Sequence, residues 1–201
     1  HKLPPDYPLI SDDELERLED RYVEAALCAR RAGFDAVDVK ACHRYLISEL
    51  HASHTREGRY GGSFDNRTRF IRNVVGKIRD AVPGLLVTSR MNVYDAMAYP
   101  YGFGVDREDA NTPDLREPIE LVRLLREAGA PLVNITVGNP YYNPHVNRPF
   151  DLPVVGGAMP PESPLAGVAR FVGIVRRIQA EFPGFPVIGG GYSWLRQFFP
   201  H

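Results

Sequence analysis

Four times along this chain an amphipathic stretch runs into a helix-stopping glycine and then into a short apolar run rich in β-branched residues, the glycines being Gly33, Gly84, Gly129 and Gly184. In the first unit, Leu15, Leu18, Tyr22, Ala25, Ala26 and Ala29 recur at helical spacing behind the cap candidate Ser11, and Ala32-Gly33 stops the helix before an apolar run at 34–39. The same pattern predicts a helix near 65–81 before a strand at 85–89. It repeats with a helix near 116–128 before 131–137, and one near 165–182 before 186–189. Strands that alternate with helices must pair in parallel, so the chain is α/β. Helix-to-strand links are a few residues long, whereas strand-to-helix links such as 137–163 are extended. All elaboration therefore sits at the carboxyl ends of the strands, where barrels and open parallel sheets place their active sites. Units this long predict a partial (β/α)8 TIM barrel with about four parallel strands, four helices and long strand-to-helix loops. A closed barrel needs eight strands. The remainder lies outside this chain, or two half-barrels associate as a homo-oligomer, or the sheet stays open.

Composition narrows what such a fold does. Lys and Arg number 24 against 25 Asp and Glu, a formal charge of -1, so no net field draws the chain to nucleic acid or an acidic bilayer. No apolar run is long enough to span a membrane. Cys28 and Cys42 are too few for a disulfide framework, which makes the reducing cytoplasm the expected home. The first residue is His1 rather than Met, so residues 1–201 are expected to be a single domain, an incomplete barrel within a longer protein.

Side chains alternate faces along a strand. In Val37-Asp38-Val39-Lys40 the valines share one face, and Asp38 and Lys40 the other; Thr88 with Arg90, and Asn134 with Thr136, repeat that polarity. With the aliphatic face on the helices, the polar face points into a barrel interior, with Lys40, Arg90 and Thr136 near its open top. The densest chemistry follows the first strand: Lys40, Cys42, His43, Arg44 and Tyr45, then Glu49, His51 and His54. His43 could shuttle a proton and Tyr45 could donate its phenolic proton, or both could be structural. Lys40 is open to three readings: an amine nucleophile, an anion clamp, or the salt-bridge partner of Asp38. His51-x-x-His54 lacks metalloprotease spacing, and no metal site is expected. In Tyr60-Gly61-Gly62-Ser63-Phe64-Asp65, the glycines permit a turn and Ser63 or Asp65 caps a helix. Gly189-Gly190-Gly191 at a strand end would let backbone N–H groups reach an anion such as phosphate, or would simply turn.

Several of these segments stand in a familiar order. Ala32-Gly33-Phe34-Asp35-Ala36-Val37-Asp38-Val39, His43-x-Tyr45-Leu46, Arg59-Tyr60-Gly61-Gly62-Ser63, Asn66-Arg67-x-Arg69-Phe70, Val87-Thr88-Ser89-Arg90 and Pro186-Val187-Ile188 resemble the old yellow enzyme family of flavin-dependent NAD(P)H oxidoreductases. The likeness runs from about Ser11 to Ser193 and is weak between Met91 and Pro161. It implies an FMN-containing eight-stranded barrel, with these strands as the fourth to the seventh. It further implies that NADH or NADPH reduces the flavin, which passes hydride to the β-carbon of an enone-type small molecule, an α,β-unsaturated carbonyl compound. By the same resemblance Tyr45 protonates the α-carbon, and the pair Lys40 and His43 binds the carbonyl oxygen. Lysine departs from the family's usual histidine there. Arg90 matches an arginine beside the flavin pyrimidine, and Gly190 and Gly191 match part of the phosphate cradle. The missing strands hold the rest of the flavin site, so the chain alone is expected to be inactive. An iron–sulfur cluster of the kind some relatives carry would lie beyond Pro200-His201. Two other readings remain open: a lyase or aldolase barrel using Lys40 as a Schiff-base amine, and a non-catalytic half-barrel that binds through its sheet edges.

Overall fold

The computed structural model describes residues 4, 7–153 and 155–198; His1 and Pro200-His201 lie outside them. Helix α1, Asp12–Arg31, starts at Ser11 with a capping box: the Ser11 hydroxyl accepts from Glu14 N at 3.2 Å and the Glu14 carboxylate accepts from Ser11 N at 2.8 Å. Acids fill its first turn and Arg30 and Arg31 its last, which suits the helix dipole. Gly33, at φ +90, takes the left-handed turn that frees the chain to enter β1, Ala36–Asp38. That strand is shorter than its apolar run, but its pairing runs on, because Val39 N donates to Thr88 O and Ala41 N to Arg90 O, each at 2.8 Å.

The chain then forms α2, Leu46–His51; α3, Phe64–Ala81; β2, Leu86–Asn92; α4, Arg116–Glu127; and β3, Val133–Thr136. It ends with α5, Pro144–Asn147; α6, Pro164–Glu181; β4, Val187–Gly189; and a 3-10 turn, Ser193–Phe198. The expected cap Ser63 starts α3, its hydroxyl accepting from Asn66 N. The short helices α2 and α5 lie inside strand-to-helix links and carry no helical period of their own.

The four strands pair in parallel in the order β1-β2-β3-β4, the sequential order of barrel strands. Ala36 stands beside Leu86, and Arg90 beside Asn134, which in turn stands beside Ile188. Val39, Val87, Met91, Val133 and Ile135 are buried on the outer face. Against them pack Phe70, Ile71 and Val74 of α3, Leu121 and Leu125 of α4, and Phe171, Ile174 and Ile178 of α6. Each such side chain, fully buried, stabilises the fold by about 1.5–3 kcal/mol relative to exposure. The opposite face carries Asp38, Lys40, Thr88, Arg90 and Asn134, as the alternation predicts. Among the described residues, no helix is long and apolar enough to cross a membrane.

Candidate functional site

The carboxyl end of β1 runs into a turn that most side chains avoid. His43 and Arg44 are consecutive non-glycine residues in the left-handed region, at φ 61 and φ 57. Each such residue costs free energy and persists only when its surroundings impose it. Here the Arg44 guanidinium imposes it. It forks onto Glu49 at 2.8 and 2.7 Å, donates to Asp95 Oδ2 at 3.0 Å, and reaches Tyr101 O at 2.9 Å. Asp95 is fully buried and accepts from Asn92 Nδ2 at 2.6 Å and from Phe103 N at 2.9 Å. The turn after β1 is thus fixed by the loop after β2.

This clamp sets the two flanking side chains. His43 Nε2 is buried without a hydrogen-bond partner among the described residues. Burial first, and then Arg90, Lys40 and Arg148, push the His43 imidazole down to about 4, so it is neutral at physiological pH. Tyr45 is half exposed, and its hydroxyl lies 2.9 Å from the Tyr141 hydroxyl. The Lys40 ammonium sits over the Tyr45 ring, 3.7 Å from its centroid.

The period-two expectation that Lys40 pairs with Asp38 is corrected here. The Asp38 carboxylate is taken by β2, accepting from Thr88 Oγ1 at 3.0 Å and Arg90 N at 3.1 Å. A Schiff-base amine is activated by desolvation or a neighbouring cation, and Lys40 is instead exposed and seated on a ring. Cys42 is buried and its thiol is pushed up to about 11, chiefly by burial, which keeps it protonated and unreactive. His51 and His54 pack against the rings of Phe103 and Tyr99. Among the described residues no group of three or more His, Cys, Asp or Glu is placed to hold a metal.

On the next two strands, Arg90 and Asn134 are register partners on the inner face, and Arg90 Nε and Asn134 Oδ1 are both buried without a partner among the described residues. Thr136, expected near the open top, ends β3 and is buried there, accepting from Asn147 Nδ2 at 3.2 Å. The three glycines at the end of β4, Gly189, Gly190 and Gly191, divide in role. A Cβ on Gly189 would meet the Tyr192 hydroxyl at 2.1 Å, and Gly191 combines φ +76 with a Cβ position 2.7 Å from the Phe171 ring, so Gly191 has local reasons of its own to be glycine. Gly190 has open space, its nearest neighbour being Ile135 O at 3.8 Å. Ser193 and Arg196, in the turn that follows, line a cavity of about 440 Å³ together with Arg148 and Asp151. The loop after β3 forms the wall of a second cavity of about 470 Å³, where Pro140, Pro144, Phe150 and Leu152 face His43. Lys40, His43, Tyr45 and Arg90 therefore stand together at the carboxyl edge, with Gly190 two strands away. Asn134, expected on the polar face, joins them, as does Tyr141 from the Pro- and Tyr-rich loop 139–161, which its sequence leaves open as a lid, a substrate wall or irregular surface; Asp95 joins them without having been singled out by its sequence position.

Residues 7–106 match the model of the NADH:flavin oxidoreductase / NADH oxidase family. An NADH:flavin oxidoreductase of Gibberella zeae is 30% identical over 129 residues, covering 63% of this chain and 31% of that protein. Dimethylamine dehydrogenase of a Hyphomicrobium species is 51% identical over 72 residues, 35% of this chain and 10% of that protein. The fold of morphinone reductase superposes with a TM-score of 0.60 at 22% identity, covering 93% of this chain and 42% of that one. The chain thus spans less than a third of the length of these two sequence relatives.

Proposed function

Because this chain belongs to the NADH:flavin oxidoreductase / NADH oxidase family, we propose that it is the part of a longer FMN-dependent NAD(P)H oxidoreductase of old yellow enzyme type that carries the proton donor. In this reading residues 1–201 are one incomplete barrel domain, and the edges of β1 and β4 pair with further strands of the same protein. The reaction is reduction of the C=C bond of an α,β-unsaturated carbonyl compound. Free Cys28 and Cys42 suit the cytoplasm, where thiols stay reduced.

The inner face fits the cofactor. Arg90 Nε and Asn134 Oδ1 are a buried donor and a buried acceptor left unpaired side by side, the complement of a ring edge that both offers and accepts hydrogen bonds. Leaving either group unmet costs about 1–3 kcal/mol. Gly190, with open space above its backbone, suits a phosphate, and Arg148 and Arg196 of the cavity that Ser193 also lines bring positive charge to the same end of the chain, beside one carboxylate, Asp151. FMN, when bound, takes electrons from NADH or NADPH and supplies the hydride. Arg90 and Asn134 would hold its ring edge, and Gly190 and Gly191 its phosphate end. Lys40 and His43 bind the acceptor's carbonyl oxygen, His43 as a neutral donor whose Nε2 has no internal partner, and they stabilise the charge that develops there. Tyr45 holds the proton destined for the α-carbon. The phenol and the orphaned imidazole nitrogen offered by one clamped turn beside an apolar-walled cavity are the observation that carries the proposal.

The full-length protein, purified without added cofactor, is expected to show a flavin absorption band that bleaches under anaerobic NADPH or NADH and returns on adding an enone. Tyr45→Phe is expected to keep the bleaching and slow the return by about 100-fold or more. A colourless protein that takes up no FMN would overturn the reading.

A further inference from the structure

We propose that Tyr141 is a positioning residue for the proton donor: its hydroxyl donates to the Tyr45 hydroxyl, leaves the Tyr45 proton free for the acceptor, and afterwards returns a proton from solvent. The inference rests on the reading of Tyr45 as donor. A phenol has one proton to give and two lone pairs to receive with. The two oxygens are 2.9 Å apart, so one of the two protons occupies the bond between them. With Tyr141 donating, the Tyr45 proton remains unspent.

Three further observations support this direction. Tyr141 is 75% exposed against 49% for Tyr45, so it is the more accessible of the pair to water. The Tyr45 ring is held from its face by the Lys40 ammonium at 3.7 Å. That contact fixes the plane in which the hydroxyl turns and gives the lysine a role beyond the carbonyl. Finally, Tyr141 stands on an anchored loop. Its N–H donates to Asn139 Oδ1 at 2.8 Å, Asn139 N donates to Asn143 Oδ1, and Asn143 Nδ2 donates to the carbonyls of Asp95 at 2.9 Å and Ala96 at 3.0 Å. Asp95 also grips Arg44, next to Tyr45. Both tyrosines are thus positioned from one residue, although they come from loops on different strands.

The step balances as follows. The electron pair of the acceptor's enolate forms the C–H bond at the α-carbon while the Tyr45 O–H bond breaks. The Tyr45 phenolate takes the Tyr141 proton, and Tyr141 takes one from water. The net transfer is one proton from solvent to carbon, and Tyr45 is made ready for the next turnover through Tyr141.

The test compares the full-length protein with Tyr141→Phe and Tyr45→Phe variants, using 2-cyclohexen-1-one and dioxygen as alternative acceptors. In protein labelled with 13C at tyrosine Cζ, the resonance lost in Tyr45→Phe is expected to move in Tyr141→Phe, a readout that needs no turnover. In kinetics, Tyr141→Phe is expected to lower the ratio of enone to dioxygen turnover by about tenfold through kcat, with KM for the enone kept, and to raise the D2O isotope effect on enone reduction. An unmoved Tyr45 resonance, or equal losses with both acceptors, overturns the proposal. If Tyr45→Phe loses enone turnover and Tyr141→Phe does not, Tyr141 falls while the reading of Tyr45 stands. If the wild-type protein consumes NADPH with dioxygen but reduces no enone, both fall together.

Discussion

The two faces of this four-stranded sheet obey opposite rules. On the outer face Val87, Met91, Val133 and Ile135 are sealed under helices, and the one hydroxyl among them, Ser89, donates to Val39 O at 2.8 Å. On the inner face Leu86 and Ile188 are 51% and 44% exposed, and Arg90 and Asn134 each leave a buried polar atom unpaired. The outer face is complete within these residues and the inner face is not. Stability is concentrated on the side that meets only the chain itself, and chemistry on the side made to meet something else.

The largest test of that contrast pairs one truncation from each face. Ile135→Ala, on the sealed side, is expected to cost about 2–5 kcal/mol of unfolding free energy. Leu86→Ala in the 201-residue chain is expected to cost about 1 kcal/mol or less, because half of its side chain is already in water. Urea titrations of both variants check this, and equal losses would break the distinction.

A buried group away from the inner face gives a second test: His51, at the end of α2 against Phe103 and Arg67, has both ring nitrogens unpartnered among the described residues. Burial, and then Arg67, push its imidazole down to about 3. The unfolded chain takes up a proton there near the ordinary value of 6.5, while the folded one refuses it until far lower. Stability from this group is therefore full above pH 6.5 and is lost as pH falls towards 3, by about 2 kcal/mol at pH 5. His51→Leu is expected to shrink the difference in urea stability between pH 7.5 and pH 5 by that amount. An unchanged difference would mean that another group governs the acid side.

The smallest effect belongs to the inner face. Asn134→Ala is expected to leave stability within about 0.5 kcal/mol, since its Oδ1 is unpaired, while lowering FMN affinity of the full-length protein in a fluorescence titration. A large loss of stability with unaltered FMN binding would reverse the roles assigned to the two faces.

The fold was legible because its determinants are local. Ser11 and Ser63 cap helices, Gly33, Gly84, Gly129 and Gly184 all take positive φ, and period-two polarity names the face of each strand. Lys40, His43, Tyr45 and Arg90 were legible from their positions at or just beyond strand ends. Arg44 with Asp95 was not, because that bond joins residues 51 apart in sequence and no spacing rule connects them. Tyr141 was half legible: its Pro- and Tyr-rich loop reads as a lid, a substrate wall or plain surface, but with no period along it nothing in the sequence sets its hydroxyl against that of Tyr45, 96 residues away. Alternation did suggest Lys40 for Asp38; the carboxylate found nearer donors on the adjacent strand, which a single strand's pattern does not contain.

The left-handed turn at His43-Arg44 has a consequence for how such barrels can be recombined. Its clamp is supplied by Asp95 and Tyr101 O, one unit further along the chain. A helix and its strand are therefore the repeat of the shape, while the heritable parcel of the chemistry is two units long. A chimaera cut just after β1 would inherit the letters of the proton donor without its geometry, whereas one cut after the β2 loop would carry both.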